Sequence, residues 1–338
     1  MNAPRRRVRR VLLPLVVVIE IGLGTCLIAI CVLAALVAPL TPRRRVLRLT
    51  SFGALYVAVD LAAVAACAGL SIRRAVQPGF EATWEDAHYR LLRWALGVAL
   101  GGAKRAFEFR VDFEEPSDAA ALYTDDPVLV LARHAGPGDS FVIVHKLLAD
   151  YKRRPKIVLK RTLAFDPALD LLLSRLSCCF LPSRSGSGED LAEELRGLSE
   201  RLGPRDALLI FPEGGNWTPK RRGRAIAKLR RRGKQRAVAT AMQTPDLMPP
   251  RPGGVLACLD SRPDAKVVVF AHTGLEELIS VSSVWRSLPL RRSMRLSWWS
   301  TPRHDVPLGD ERVAWLQDEW VRLEAWISGH LSPEPLMW

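Results

Sequence analysis

Two long apolar runs open the chain and limit every architecture it can adopt. Residues 11–40 (VLLPLVVVIEIGLGTCLIAICVLAALVAPL) carry a single charge, Glu20, and residues 49–72 (LTSFGALYVAVDLAAVAACAGLSI) carry a single charge, Asp60. At about 1.5 Å per helical residue, each run is long enough for a hydrocarbon core about 30 Å thick. A cleaved signal peptide describes them poorly. Its apolar region spans about 7–15 residues before a small-residue cleavage site, whereas here the first run is longer and a second follows. We expect a membrane anchor with two hydrophobic helices over residues 1–78, either spanning or held as a tilted hairpin at one leaflet. A soluble domain over residues 79–338 should follow. Arg5–Arg7, Arg9 and Arg10 precede the first run, Arg43–Arg45 and Arg48 separate the two, and Arg73 and Arg74 follow the second. That distribution is nearly symmetric, so the positive-inside rule leans only weakly to a cytoplasmic domain. Glu20 and Asp60 should face each other or a neighbour, because a lone carboxylate in lipid is costly.

Charge is concentrated rather than spread. The 338 residues hold 49 Lys+Arg against 35 Asp+Glu, a net charge of +14, and 49% are apolar, which excludes general disorder. Residues 1–78 hold eleven Arg against two acids, and residues 220–236 hold ten Lys/Arg and no acid, so the remainder is slightly acidic. A uniformly basic nucleic-acid binder is therefore excluded, and no aromatic stacking platform accompanies the second cluster. That cluster reads as a solvated face, or as a contact for anionic headgroups, CoA phosphates or the acidic face of acyl carrier protein. The six Cys show no CxxC pair and no ligand spacing, so they read as small apolar filler in a reducing compartment and not as a zinc site.

Beyond the apolar runs, helix-like and strand-like segments alternate. Residues 84–104 and 310–328 carry apolar stripes at helical spacing, as do 141–150, 167–176 and 189–202. Residues 107–113, 128–132, 156–159, 207–211 and 266–271 read as strands. The alternation predicts an α/β fold, a mixed sheet flanked by helices, with the hydrophobic hairpin in front.

Two short motifs carry chemistry. In Val128-Leu-Val-Leu-Ala-Arg-His134-Ala-Gly-Pro-Gly-Asp139-Ser140-Phe141, a strand ends, a Gly/Pro bend follows and a helix begins. The bend can bring His134 and Asp139 together, so that the carboxylate fixes the imidazole tautomer and leaves the other nitrogen as a base. On its own the segment also fits Asp139 as a helix cap beside a merely polar His134. In Ala207-Leu-Leu-Ile-Phe211-Pro212-Glu213-Gly214-Gly215-Asn216, a buried strand ends in a Pro-Glu-Gly-Gly turn at its carboxyl end, where α/β folds build sites. Alone it would be a turn with a surface Glu.

The pair of motifs, in this order and about 75 residues apart, resembles the glycerophospholipid acyltransferases, whose best-known members are the 1-acyl-sn-glycerol-3-phosphate acyltransferases. The resemblance runs from about residue 84 to residue 290. Lys160-Arg161-Thr-Leu163 with Asp166-Pro167 looks like the family's basic segment. Cys178-Cys-Phe180-Leu-Pro-Ser-Arg184 looks like the block ending in a phosphate-binding Arg, and Met248-Pro-Pro-Arg251-Pro-Gly-Gly-Val255 like the Pro-containing block. The resemblance implies that His134 deprotonates the acceptor hydroxyl and Asp139 orients His134. It implies that Arg184, with Lys160 as the weaker candidate, holds the acceptor phosphate. Phe211, Pro212, Glu213 and Gly214 would shape the acceptor and oxyanion region. The donor would be an acyl-CoA or acyl carrier protein thioester, used as a co-substrate, with no metal or other cofactor. The acceptor would be 1-acylglycerol-3-phosphate, giving phosphatidic acid.

Two departures bear on the acceptor. Cys178 stands where Gly is frequent, and Gly215-Asn216 stands where Thr-Arg is common after F-P-E-G. A lysocardiolipin-like or lysophosphatidylinositol-like acceptor is the alternative. Of other classes, Gly138-Asp139-Ser140-Phe141 looks like the start of a GDS-type serine lipase or esterase, but no D-x-x-H follows anywhere in the chain. A non-catalytic membrane scaffold has no need for His134, Asp139, Arg184 and Glu213 together. The forty Arg against nine Lys suggest a high-GC bacterial genome and hence a bacterial cytoplasmic membrane. Expected partners are membrane lipids and the acyl donor, with no nucleic acid. Oligomeric state is left open.

Overall fold

The computed structural model describes residues 6–41, 43–116, 120–136, 138–160, 165–176, 178–181, 188–276, 278, 281–290 and 293–330. The two apolar runs form α1 (Arg6–Leu36) and α2 (Arg45–Val76), an antiparallel hairpin. Small residues let the two helices approach closely: a Cβ on Gly24 would lie 3.1 Å from Val57, and one on Gly53 would lie 3.3 Å from Leu27. Both helices are long and apolar enough to cross a bilayer, with mean hydropathy 2.7 over residues 11–36 and 2.0 over residues 45–76. They differ in surroundings. The apolar stretch of α1 is exposed, whereas α2 is partly buried against the rest of the chain.

The chain continues through α3 (Trp84–Phe107), β1 (Arg110–Glu114), α4 (Ala120–Tyr123), β2 (Val128–Ala132) and α5 (Asp139–Ala149). Then come β3 (Arg154–Lys160), α6 (Pro167–Leu173), β4 (Cys179–Leu181), α7 (Gly188–Glu200) and β5 (Asp206–Ile210). The basic run forms α8 (Pro219–Arg231) and reaches the start of α9 (Gln235–Gln243). The chain ends through α10 (Pro252–Ser261), β6 (Lys266–Thr273), α11 (Val281–Ser287), β7 (Ser293–Thr301) and α12 (Glu311–His330).

Among the described residues the strands form one sheet in the order β1-β7-β6-β2-β5-β3-β4. Neighbours pair in parallel except β6 with β7, where Phe270 faces Trp298 in antiparallel register. The fold is the expected mixed α/β sheet. β2 and β5 are buried on both faces, which explains their unbroken apolar sequences. Val128, Val130 and Ala132 join one core with α3, α5 and α6, and Leu129 and Leu131 join a second with α7, α10 and α12.

Three details differ from the sequence expectation. The strand expected at 107–113 starts only at Arg110, because α3 runs on to Phe107 and ends at Glu108 in the left-handed region (φ 53°). β4 and β7 were not anticipated. The polar positions Arg295 and Ser297 interrupt the apolar pattern of β7, yet Met294, Leu296 and Trp298 lie in the first core.

α2 is built into that same core through Ala63 and Cys67, both fully buried. Polar ties run along its whole length. Arg45 donates to the carbonyls of Arg286 (2.9 Å) and Leu288 (3.3 Å), and Arg48 donates to Ala106 O (2.7 Å) and pairs with Glu108. Midway, Asp60 Oδ1 accepts from Ala168 N at 3.1 Å. Near the other end Arg175 donates to Cys67 O and Ser71 Oγ, each at 2.9 Å. Arg9 of α1 makes a two-pronged pair with Asp170 of α6, at 2.7 and 2.9 Å.

Candidate active site

The site forms where β2 and β5 end side by side. Past Ala132 the chain bends through Arg133, His134, Ala135 and Gly136 before Gly138 opens α5 at φ 90°. Gly136 is required by space: a Cβ there would lie 2.5 Å from the carbonyl oxygen of Leu275. The bend turns Asp139 back toward the strand end. Its carboxylate, fully buried, lies 2.9 and 3.0 Å from His134 Nδ1. It also accepts from Ala135 N (2.9 Å), Gly136 N (3.2 Å), Ser140 N (2.6 Å) and Ser140 Oγ (3.0 Å). Asp139 therefore organises the bend itself rather than capping the helix in the usual forward sense. Burial works against the charge, yet the His134 ring, His272 and the N–H donors together hold this carboxyl down at about 2. With Nδ1 engaged, His134 keeps Nε2 without a partner among the described residues, on a side chain one-fifth exposed. The Phe211 ring packs 5.0 Å from the imidazole.

Glu213 lies against the backbone of His134. It is 1% exposed, and its two oxygens accept from His134 N (2.8 Å) and Met248 N (3.1 Å). Trp217 N donates to His134 O at 2.8 Å, so the F-P-E-G turn grips the backbone of His134 from both sides. Burial pushes the Glu213 carboxyl up to about 7, against the pull of Arg133 and the two N–H donors. Its place is that of a strut for the backbone.

Two members of this network escaped the sequence reading. Arg133 is fully buried and donates to Glu276 (2.9 Å), to His272 O (3.1 Å) and to Asp246 O (3.0 Å), stapling three segments around the strand ends. His272, at the end of β6, is fully buried. Its Nε2 lies 3.1 Å from Arg133 O and 3.8 Å from Asp139 Oδ2. Burial lowers the pKa of this ring, and its Nε2 donates to the carbonyl of Arg133. A usable signal was present, since His272 closes an apolar strand much as His134 follows one.

Ser140 Oγ donates to Asp139, the carboxylate that His134 Nδ1 also uses, and is not presented to Nε2. That geometry does not make a serine nucleophile. Beside the bend opens an apolar cavity of about 470 Å³, lined by Phe52 and Tyr56 of α2, Leu96 of α3, Leu172 of α6, and Gly138 and Phe141. Gly138 and Phe141 connect this cavity to the bend that carries His134 and Asp139. Of the remaining expected residues, Lys160 closes β3, Pro212 and Gly214 lie on the turn with Glu213, and Arg184 lies outside the described residues.

Residues 110–258, which include Arg133, His134, Asp139, Phe211 and Glu213 but not His272 or Glu276, match the family model described as Acyltransferase. Among solved structures, the chain is similar to the 1-acyl-sn-glycerophosphate (LPA) acyltransferase PlsC from Thermotoga maritima. That similarity has 12% sequence identity and a TM-score of 0.49, over 81% of this chain and 98% of that one. No curated protein matches the chain.

Proposed function

We propose that the chain moves an acyl group from a thioester to the hydroxyl of a lysophospholipid at a membrane, with 1-acylglycerol-3-phosphate as the leading acceptor, a reading supported by the match of residues 110–258 to the Acyltransferase family model. The observation that carries this reading is the His134–Asp139 contact at 2.9 Å with Nε2 left available. In the proposed step Nε2 removes the acceptor's hydroxyl proton as its oxygen attacks the thioester carbonyl. The tetrahedral intermediate collapses, the C–S bond breaks, and the imidazolium returns its proton to the leaving thiolate. Asp139 stabilises that imidazolium, as in other base–orienter pairs. The substrate hydroxyl replaces a protein nucleophile, and the thioester is already activated. Orientation and a fixed base therefore supply what the reaction needs.

The apolar cavity supports the same reading, because a long acyl chain needs a dry wall beside the base, and Gly138 and Phe141 belong to both. The exposed apolar face of α1 supports a lipid-facing anchor. The basic face of α8 is read as the contact for the donor's anionic carrier. Its neighbour α9 packs on α12, whose core lies across the sheet from the hairpin.

The test is incubation of membranes carrying the protein with labelled acyl-CoA or acyl carrier protein and a panel of lysolipids. We expect His134→Ala to lose at least about a thousandfold in turnover with normal membrane insertion, given the ~10²–10⁴-fold reach of general base catalysis. Turnover near wild type in that variant overturns the mechanism. The same panel separates lysophosphatidate from lysocardiolipin-like and lysophosphatidylinositol-like acceptors.

A further inference from the structure

The tip of the hairpin holds a second cavity, of about 690 Å³, none of whose lining belongs to the His134–Asp139 bend. One wall is apolar: Ile30, Leu33, Val37 and Leu40, where α1 runs out into the short turn at residues 38–40. The opposite rim is cationic. Arg43, Arg44 and Arg45 all line the cavity, and no acid does so among the described residues. Three consecutive residues can border one space because Arg44 stands in the left-handed region (φ 45°), which turns the backbone sharply before α2 begins.

The three arginines are not equivalent. Arg45 is already engaged: it donates to the carbonyls of Arg286 and Leu288, and its guanidinium lies 5.8 Å from the ring of Trp285, another lining residue. Arg43 and Arg44 are exposed, and their side chains have no partner among the described residues. The four apolar wall residues are exposed as well.

Each half of the cavity excludes a class of occupant. A wholly apolar ligand would leave the guanidinium groups unanswered, and a small soluble anion would leave the apolar wall in water. An amphiphile with an anionic head satisfies both, with its phosphate on the planar guanidinium forks and its chain on the wall. The same surface indicates where such a ligand comes from. The wall continues the exposed apolar face of α1, and a Trp beside Arg residues is the composition of a headgroup-level boundary.

We propose that this cavity seats one anionic phospholipid of the bilayer, its headgroup phosphate on Arg43 and Arg44 and an acyl chain along the end of α1. The seat is separate from the apolar cavity beside the bend. Trp285 borders the one and its neighbour Val284 borders the other, so α11 is a wall of both. The inference does not rest on the acyl-transfer reading, and its readout is binding, so either can fail without the other.

The full-length chain in detergent is titrated with dioctanoyl phosphatidylglycerol, with dioctanoyl phosphatidylcholine and with glycerol 3-phosphate, and bound molecules are counted by native mass spectrometry. Wild type is compared with a double Arg43→Gln, Arg44→Gln variant and with Leu40→Glu, a position 82% exposed and so free of packing. A charge-matched control replaces the exposed Arg230 and Arg231 of α8 by Gln. We expect phosphatidylglycerol to saturate at one per chain and to bind at least about tenfold more tightly than either other probe. Both seat variants should weaken it at least about tenfold, and the α8 control should stay within about twofold. Phosphatidylcholine bound as tightly would remove the headgroup's role, and glycerol 3-phosphate bound as tightly would make this a site for a soluble anion; either result overturns the proposal. So does uptake of phosphatidylglycerol without saturation at one per chain, or an equal loss in the α8 control, which would mean diffuse charge attraction. Loss in only one of the two seat variants, or in neither, overturns it too, because the seat needs both its cationic rim and its apolar wall.

Discussion

The two carboxylates of the site respond to pH with opposite signs. Asp139 is held at about 2, below its ordinary 3.8. Between those values the unfolded chain binds more protons than the folded one. Asp139 thus contributes stability that is complete above about pH 4 and is lost as pH falls toward 2, on the order of 2 kcal/mol. Glu213 is held at about 7, above its ordinary 4.5. Here the folded chain keeps the proton longer, so its contribution favours folding below pH 4.5 and is lost as pH rises through 7. Denaturant unfolding from pH 4.5 to 8 checks the second sign. Wild type should lose stability across this window relative to Glu213→Gln, and parallel curves would sink the assignment. Glu213→Ala should cost about 1–3 kcal/mol, because it leaves the buried N–H groups of His134 and Met248 without their acceptor. Space is as strict as charge at Gly136. Gly136→Ala drives a Cβ into the Leu275 carbonyl, and we expect about 1–3 kcal/mol of destabilisation with a fall in kcat. A variant with wild-type melting and turnover would show that the bend tolerates a side chain.

At the scale of elements, legibility followed locality. β2 and β5 could be read because burial on both faces demands uninterrupted apolar residues. β7 could not, because Arg295 and Ser297 hide a strand whose burial depends on pairing with β6 and β1 from distant sequence. His134 and Asp139 were legible because only four residues of glycine-rich bend separate them. Arg133 and His272 were hidden because their contact crosses from β2 to β6, and no local pattern reports it. The basic run, readable as a solvated face or as an anion contact, carries too few apolar positions to announce a helix, yet α8 forms there: the Thr218 side chain accepts from Arg221 N, and Ile226 is its one buried residue. The anchor boundary at residue 78 reads differently in three dimensions. Ala63 and Cys67 of α2 are fully buried in the first core, and α2 walls the apolar cavity. A chain lacking residues 1–41 should keep its α/β fold in detergent, because the apolar stretch of α1 is unburied. A chain lacking residues 1–78 should aggregate, since it exposes that core. Circular dichroism and size exclusion compare them, and a monomeric, cooperatively folded 79–338 fragment would contradict the packing argument.

For the molecule as a whole, the ties along α2 decide how the hairpin can meet a bilayer. Near its start, Arg45 and Arg48 bond the carbonyls of Arg286, Leu288 and Ala106. Near its end, Cys67 O and Ser71 Oγ receive Arg175. All these partners belong to the same α/β domain. A helix crossing the membrane would carry one of these ends to the far side and break its bonds, or drag the polar domain into hydrocarbon, where unsatisfied groups are costly. α1 adds the same constraint, because Arg9 holds Asp170 of that domain while its long apolar face stays open. We propose that, at a membrane, the hairpin lies against one leaflet, with α1 in lipid and the arginine clusters at headgroup level, since this arrangement would keep every tie. Single cysteines test this directly. Thr41→Cys and Gln77→Cys, each exposed and flanking α2, are placed in a background with Cys26→Ala and Cys31→Ala. A membrane-impermeant maleimide added to inside-out vesicles should label both positions, and added to right-side-out vesicles should label neither. Labelling of the two positions from opposite sides would mean that α2 spans, and that its bonds to the α/β domain do not survive insertion.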